Sequence, residues 1–199
     1  MTQLAIINSG GANIASLTGA FDRLGVNAVL TTDAELIRGA THVLLPGVGA
    51  ARDAMDRLRK ANLVDMIKTL TQPVLGICLG MQLLCGSSEE DNVECLGVIP
   101  GIARKFPVAD EFPVPNMGWC ATELTAPHPV LNGVEQDSYY YYVHSYALPV
   151  CNHTIATANH ASPFSAMLSR ENFVAAQFHP ERSSQAGARI LRNFLEWNA

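Results

Sequence analysis

The stretch Val74-Leu75-Gly76-Ile77-Cys78-Leu79-Gly80-Met81-Gln82 passes from an apolar run, through two glycines bracketing a cysteine, into helical spacing. Residues 73–78 suit a short strand buried on both faces, and residues 81–84 read as helix. The turn between them reads Gly-x-Cys-x-Gly, the pattern of a nucleophile elbow with sulfur in place of the serine oxygen. A residue held on so sharp a turn needs small neighbours two positions to either side, and Gly76 and Gly80 supply them. The following helix points its N-terminus at the thiol and favours the reactive thiolate. The backbone amide of Leu79 then becomes one donor to an oxyanion. The bland alternative is a cysteine packed in a glycine-rich turn, and the strand–turn–helix setting favours the nucleophile over it.

Upstream, the chain alternates between two periods. Leu4-Ala5-Ile6-Ile7 reads as a buried strand, Ile14, Leu17, Phe21 and Leu24 recur at helical spacing, and Gly25 sits where that helix stops. Residues 27–31 and 43–45 read as further strands, the latter ending in Pro46-Gly47. Met55 and Leu58, then Leu63, Ile67 and Leu70, mark helices. Strands alternating with helices imply a parallel sheet with crossover helices on its faces. Downstream the pattern changes. Six of the eleven prolines fall from Pro100 to Pro129, where regular structure is least secure. Residues 139–146, 154–158, 164–168 and 173–178 read as strands without intervening helices, and Ile190, Leu191, Phe194 and Leu195 form a final helical stripe. The expected fold is α/β: a mixed, mostly parallel central sheet flanked by helices, with additional antiparallel strands. No repeat or linker divides residues 1–199, so one domain is expected.

Composition narrows the function. The chain has 199 residues, 48% hydrophobic and 16% charged, with a formal charge of −5. That length buries a core without staples, and the apolar content argues against disorder. The acidity, without a Lys/Arg cluster, excludes a nucleic-acid footprint. No apolar run reaches the ~18 residues of a membrane span, and Met1-Thr2-Gln3 lacks a basic leader, so a cytoplasmic location is expected. Five cysteines, without CxxC pairs, disfavour a disulfide framework and a zinc cage. No metal and no cofactor are expected. Cys85, Cys95, Cys120 and Cys151 read as packing.

A cysteine nucleophile needs a base. Among six histidines, His179 directly follows an apolar strand and opens His179-Pro180-Glu181. Sites in α/β sheets lie beyond the carboxyl ends of strands, where Cys78 also falls. Pro180 fixes the local backbone, and Glu181 can accept one ring N–H while the other nitrogen faces sulfur. A plain surface turn is the competing reading, and His144 is the alternative base. Pro46-Gly47-Val48-Gly49-Ala50 ends the third strand, and its glycines let backbone approach a ligand and turn an amide towards it. Val48 and Gly49 are candidates for the second oxyanion donor beside Leu79.

In the order Pro46-Gly47-Val48-Gly49, Gly76-Ile77-Cys78-Leu79-Gly80-Met81-Gln82 and Gln177-Phe178-His179-Pro180-Glu181, the chain resembles the class I glutamine amidotransferases. The resemblance implies Cys78 as nucleophile, His179 as general base and acid, and Glu181 as the group orienting His179. It implies glutamine-holding roles for Gly47, Gly49, Gln82 and Glu90, and brings Ser145 and Tyr146 into the substrate site. Gly10-x-x-Asn13-x-x-Ser16, Pro115-Asn116-Met117-Gly118-Trp119 and Tyr142-Val143-His144-Ser145-Tyr146 narrow it to the stand-alone glutaminase subunits of that family. Their partner is a (β/α)8-barrel cyclase, which consumes the ammonia in histidine biosynthesis. Asn8 and Ala12 depart from the commonest pattern of the amino-terminal loop. Asn13, Met117 and Trp119 are the candidates for the docking face, internal packing being the alternative for the latter two. Another class I amidotransferase, a γ-glutamyl peptidase and a non-catalytic relative remain as alternatives.

Overall fold

In a computed structural model, which describes residues 2–10, 14–108 and 110–199, short apolar runs of the first half form strands buried on both faces of the large sheet. The first strand, β1 (Leu4–Ile7), shows why: Leu4 and Ile6 enter one hydrophobic cluster, and Ala5 and Ile7 enter another on the opposite face. A strand that feeds two cores leaves no side for water, so it reads as a continuous apolar run. β3 (His42–Gly47) and β4 (Val74–Cys78) repeat the arrangement. β2 (Ala28–Thr31) lies at the sheet edge, with Val29 and Leu30 exposed.

The helices supply the two covering layers. α2 (Ala34–Gly39), α3 (Ala51–Lys60) and α4 (Val64–Lys68) cover one face, through Ile37, Leu58 and Ile67 among others. α1 (Ile14–Arg23) and α6 (Ser184–Glu196) cover the other, burying Leu17 and Phe21, and Ile190, Leu191 and Phe194. α5 (Leu79–Leu84) starts directly after Cys78.

The second half supplies β8 (Asn116–Leu124), β9 (Ser138–His144), β11 (Thr154–His160), β12 (Ser162–Arg170) and β13 (Phe173–Ala176). The large sheet has the order β2-β1-β3-β4-β13-β12-β11-β8-β9. Pairings from β2 to β13 are parallel, and those from β13 to β9 are antiparallel. The sheet is mixed, as expected. β13 is the hinge of this topology, because it pairs parallel with β4 and antiparallel with β12.

Several elements differ from the sequence reading. The expected strand 139–146 is broken: β9 stops at His144, and β10 (Tyr146–Ala147) pairs instead with β7 (Ile99–Lys105) in a small second sheet. That sheet also contains β5 (Cys85–Ser88) and β6 (Val93–Glu94). The strand expected over 173–178 ends at Ala176; Gln177 keeps one backbone bond to β12, and His179 bonds instead to Tyr141 of β9. The proline-rich segment holds two of the longer strands, since Pro107, Pro113, Pro127 and Pro129 lie between or beyond strands. β8 inverts the usual alternation, with Asn116 and Thr122 buried and Met117 and Trp119 exposed, so its hydrophobic period does not mark a buried face.

Candidate active site

Cys78 sits at the junction of β4 and α5 with φ 54° and ψ −111°. A non-glycine residue in this region is strained, and the surroundings have to enforce it. They do so by excluding side chains on either side. A Cβ added to Gly80 would lie 1.8 Å from the Leu45 carbonyl oxygen, and one on Gly76 would lie 2.8 Å from Leu84 Cδ1 and 3.0 Å from the Gly80 carbonyl oxygen. The elbow is therefore pressed against β3, and Gly47 of β3 is in register with Cys78.

His179 reaches the same end of the sheet from the neighbouring strand. Ala176 of β13 pairs with Ile77 of β4, so the chain leaves both strands side by side. The His179 backbone is held at both ends: its N–H donates to the Tyr141 carbonyl (2.9 Å), and its carbonyl accepts from Ser183 Oγ (2.7 Å). Pro180–Arg182 then make a single 3-10 turn, which brings the buried Glu181 side chain back to His179. Nδ1 of His179 donates to Glu181 Oε1 at 2.9 Å. Nε2 is buried, makes no aligned hydrogen bond, and is the nitrogen left for Cys78. Burial pulls the imidazole down, but Cys78 and Glu181, by hydrogen bonding and charge, raise it to about 10.

His144, the alternative base, is engaged at both nitrogens. Nδ1 donates to the Tyr146 carbonyl at 2.8 Å, and Nε2 lies 3.1 Å from Asn116 Nδ2, from which it accepts. Burial lowers it to about 4. A neutral ring with both nitrogens occupied has no free lone pair to take a proton.

A cavity of about 390 Å³ opens beside Cys78 and His179. Val48, Gly49, Leu79, Gln82, Glu90, Ser145 and Tyr146 all line it. Gly47 does not; it borders a much smaller hollow that also touches His179, with Pro46 and Ile77. Gly49 has φ 87°, a conformation that favours glycine. Ser9 Oγ donates to the Pro46 carbonyl at 2.7 Å and anchors the start of this loop. Glu90 Oε2 accepts from the Ala51 N–H at 2.8 Å, which ties the loop's far end to the wall carrying Glu90. Among the described residues, no group of three or more His, Cys, Asp or Glu is arranged to hold a metal ion.

The remaining cysteines stand apart. All five thiols are free. Burial pushes Cys85 well above its ordinary value and Cys95 to about 11, so both stay protonated at neutral pH. Met117 and Trp119 are 66% and 51% exposed, which excludes internal packing. They share one face of the β8–β9 pair with Tyr139, itself 61% exposed. Asn13 lies outside the described residues.

Residues 5–197 match the family profile Glutamine amidotransferase class-I. The chain belongs to the class I glutamine amidotransferases. It is 47% identical over 196 residues to imidazole glycerol phosphate synthase subunit HisH of Pasteurella multocida, covering 98% of both chains. Against the HisH subunit of Vibrio cholerae the identity is 45% over 203 residues, covering 98% of this chain and 100% of the relative. For the HisH subunit of Xanthomonas axonopodis pv. citri it is 48% over 196 residues, covering 98% of each. Solved structures agree on the fold. A crystal structure described as glutamine amidotransferase superposes with a TM-score of 0.74 at 16% identity, covering 97% of both chains. The glutaminase domain of Trypanosoma brucei CTPS, solved with acivicin, gives 0.67 at 15% identity, covering all of this chain and 96% of the other.

Within this amidotransferase the sequence reading missed three contributors to the cavity wall: Pro115, Val143 and Arg182. Pro115 and Val143 carry no chemical signal of their own. Arg182 follows Glu181 directly, and its position at the site follows from the tightness of the Pro180–Arg182 turn, which sequence periodicity does not register.

Proposed function

We propose that Cys78, His179 and Glu181 perform glutamine hydrolysis in this chain, acting as the glutaminase subunit of imidazole glycerol phosphate synthase. The observation that carries the reading is the array itself: a strained elbow thiol, a buried imidazole facing it, and a buried carboxylate 2.9 Å behind the imidazole. The full-length likeness to HisH subunits supports the choice of synthase. Beside the catalytic His179, Glu90 and Arg182 add an anionic and a cationic side chain to the cavity wall, the pair that an α-amino acid's ammonium and carboxylate require.

The chemistry follows from these positions. Cys78 Sγ adds to the side-chain amide carbon of glutamine, and the carbonyl oxygen gains the charge. The Leu79 amide and the Val48–Gly49 loop, which line the cavity, bind that oxyanion, where one donor contributes about 2.7–4 kcal/mol. The proton shared by the Cys78–His179 pair passes from Nε2 to the departing nitrogen, the C–N bond breaks, and ammonia leaves. Water then adds to the thioester and gives its proton to His179. The C–S bond breaks, returning thiolate and glutamate. Glu181 holds the imidazole in orientation through both stages.

Ammonia protonates in bulk water, so a sealed route to the consumer serves the reaction. The exposed face of Met117, Trp119 and Tyr139 supports such a route. Met117 is paired with Val143, and Val143 lines the cavity. A cyclase seated there lies next to the site of ammonia release. Its reaction on a phosphoribulosyl formimino nucleotide yields imidazole glycerol phosphate and an aminoimidazole carboxamide ribotide. No helix among the described residues is long and apolar enough to cross a membrane, and a reducing cytoplasm keeps the free thiols reduced.

The test is capture of the intermediate. Protein quenched in acid during glutamine turnover should carry a γ-glutamyl adduct on the peptide containing Cys78. A Cys78→Ala variant that releases ammonia at the unaltered rate overturns the assignment.

A further inference from the structure

Gln177 is fully buried, does not line the cavity, and has no part in the chemistry above, yet it joins two groups that do. Its Nε2 donates to Cys78 Sγ at 3.9 Å, and its Oε1 accepts from Gln82 Nε2 at 3.1 Å. Gln82 Nε2 also donates to the Tyr146 carbonyl at 3.0 Å. With both Nε2 hydrogens engaged, the only polar atom Gln82 has left for a ligand is the acceptor Oε1. The two amides therefore form a directed chain from the Tyr146 backbone, through Gln82, to the nucleophilic sulfur. Each member fixes the orientation of the next, because an amide that is pinned at one atom cannot exchange its oxygen and nitrogen.

We infer that Gln177 is a positioning residue that relays the state of the glutamine pocket to Cys78, by holding an N–H on the sulfur in an orientation set by Gln82. The inference rests on Cys78 being the nucleophile. A neutral amide N–H stabilises negative charge on sulfur without supplying a proton. Its effect is felt when the thiolate attacks and again when the thiolate departs from the thioester. In the neutral form the thiol has a competing acceptor, the Val143 carbonyl at 3.8 Å, so the Gln177 contact biases the sulfur towards its charged form. A substrate group bound to Gln82 Oε1 polarises Gln82 and strengthens the whole chain, which links recognition of glutamine to the readiness of the nucleophile.

The end of β13 makes this geometry possible. β13 ends at Ala176, and the Gln177 N–H is satisfied by the Ala166 carbonyl of β12 at 2.9 Å. The side chain is thereby sent towards β4 and α5. The charged and titratable groups around the sulfur come from other elements: His179 and Glu181 from the turn after β13, His144 from β9, Glu90 from the turn after β5, and Arg182 at the cavity wall. None of them is altered in the variants below.

The experiment measures alkylation of Cys78 by iodoacetamide across pH, with no glutamine present, and reads the modified peptide by mass spectrometry. Because glutamine takes no part, a failure of the relay is separable from a failure of the glutaminase reading, which the thioester capture tests. Gln177→Met keeps the approximate shape and removes the donor. It should slow alkylation at neutral pH roughly threefold to tenfold, the scale of one ordinary hydrogen bond, and should move the profile to higher pH. Gln82→Met never touches the sulfur, yet it should move the profile in the same direction. The double variant should be no slower than Gln177→Met alone, within about twofold, since the two amides act as one chain. Circular dichroism verifies folding of each variant. If Gln177→Met does not fold, Gln82→Met alone decides the matter. An unchanged profile in either folded variant, or fully additive effects, overturns the inference.

Discussion

His144 and His179 lie at the same cavity and differ in what each nitrogen touches. His179 spends one nitrogen on Glu181 and keeps the other for sulfur; His144 spends both on Asn116 and the Tyr146 backbone. The same burial that lowers His144 to about 4 is overcome at His179 by two partners. The consequences for stability have opposite signs. Between pH 6.5 and about 4 the unfolded chain binds a proton at His144 that the folded chain refuses, so stability falls as the pH drops, by about 3 kcal/mol in all. His179 is raised, so its contribution is complete below 6.5 and is lost only as the pH climbs through about 10. His144→Gln retains a donor for Tyr146 and an acceptor for Asn116 without titrating. Urea unfolding from pH 7 to pH 4.5 should therefore show a shallower acid loss in this variant than in the unaltered protein. Burial also lowers His42 and His128, which keep an acid slope of their own. Equal slopes in the two proteins contradict the assignment to His144.

At the scale of elements, the elbow is a contact between β3, β4 and α5 with no room for a methyl group. Gly80→Ala would bring Cβ against the Leu45 carbonyl, which cannot retreat without breaking the pairing of β3 and β4. The expected loss is about 3 kcal/mol or more by urea unfolding, with slower alkylation of Cys78 as the turn relaxes. A substitution that leaves both unchanged removes the steric account of the elbow. This element was legible in the sequence because glycine spacing and an apolar run are local signals. The three elements of the site were legible for the same reason, each being a strand end followed by a short motif. β8 was not, since its buried face is carried by Asn116, Cys120 and Thr122, and its large apolar side chains face outward. The break at Ser145 was equally hidden. It arises because β10 pairs with β7 in another sheet, a long-range choice that local periodicity does not encode. Gln177 was visible as a letter in a motif, but its partners lie nearly a hundred residues upstream.

For the whole molecule, the topology places Cys78 and His179 at one end of the sheet. β4 and β13 are adjacent and parallel, so the elbow and the His179 turn emerge together, and β8 and β9 carry an exposed apolar face to the border of the same cavity. On the proposed function, the exposed Met117 and Trp119 serve a subunit that passes ammonia onward. The most direct measurement supplies glutamine labelled at the amide nitrogen to the chain, with and without the cyclase subunit and its nucleotide. Glutamate formation should accelerate when both are added, and the label should enter the imidazole product in step with the glutamate formed. No acceleration, or product nitrogen drawn only from free ammonium in the buffer, contradicts the proposed function.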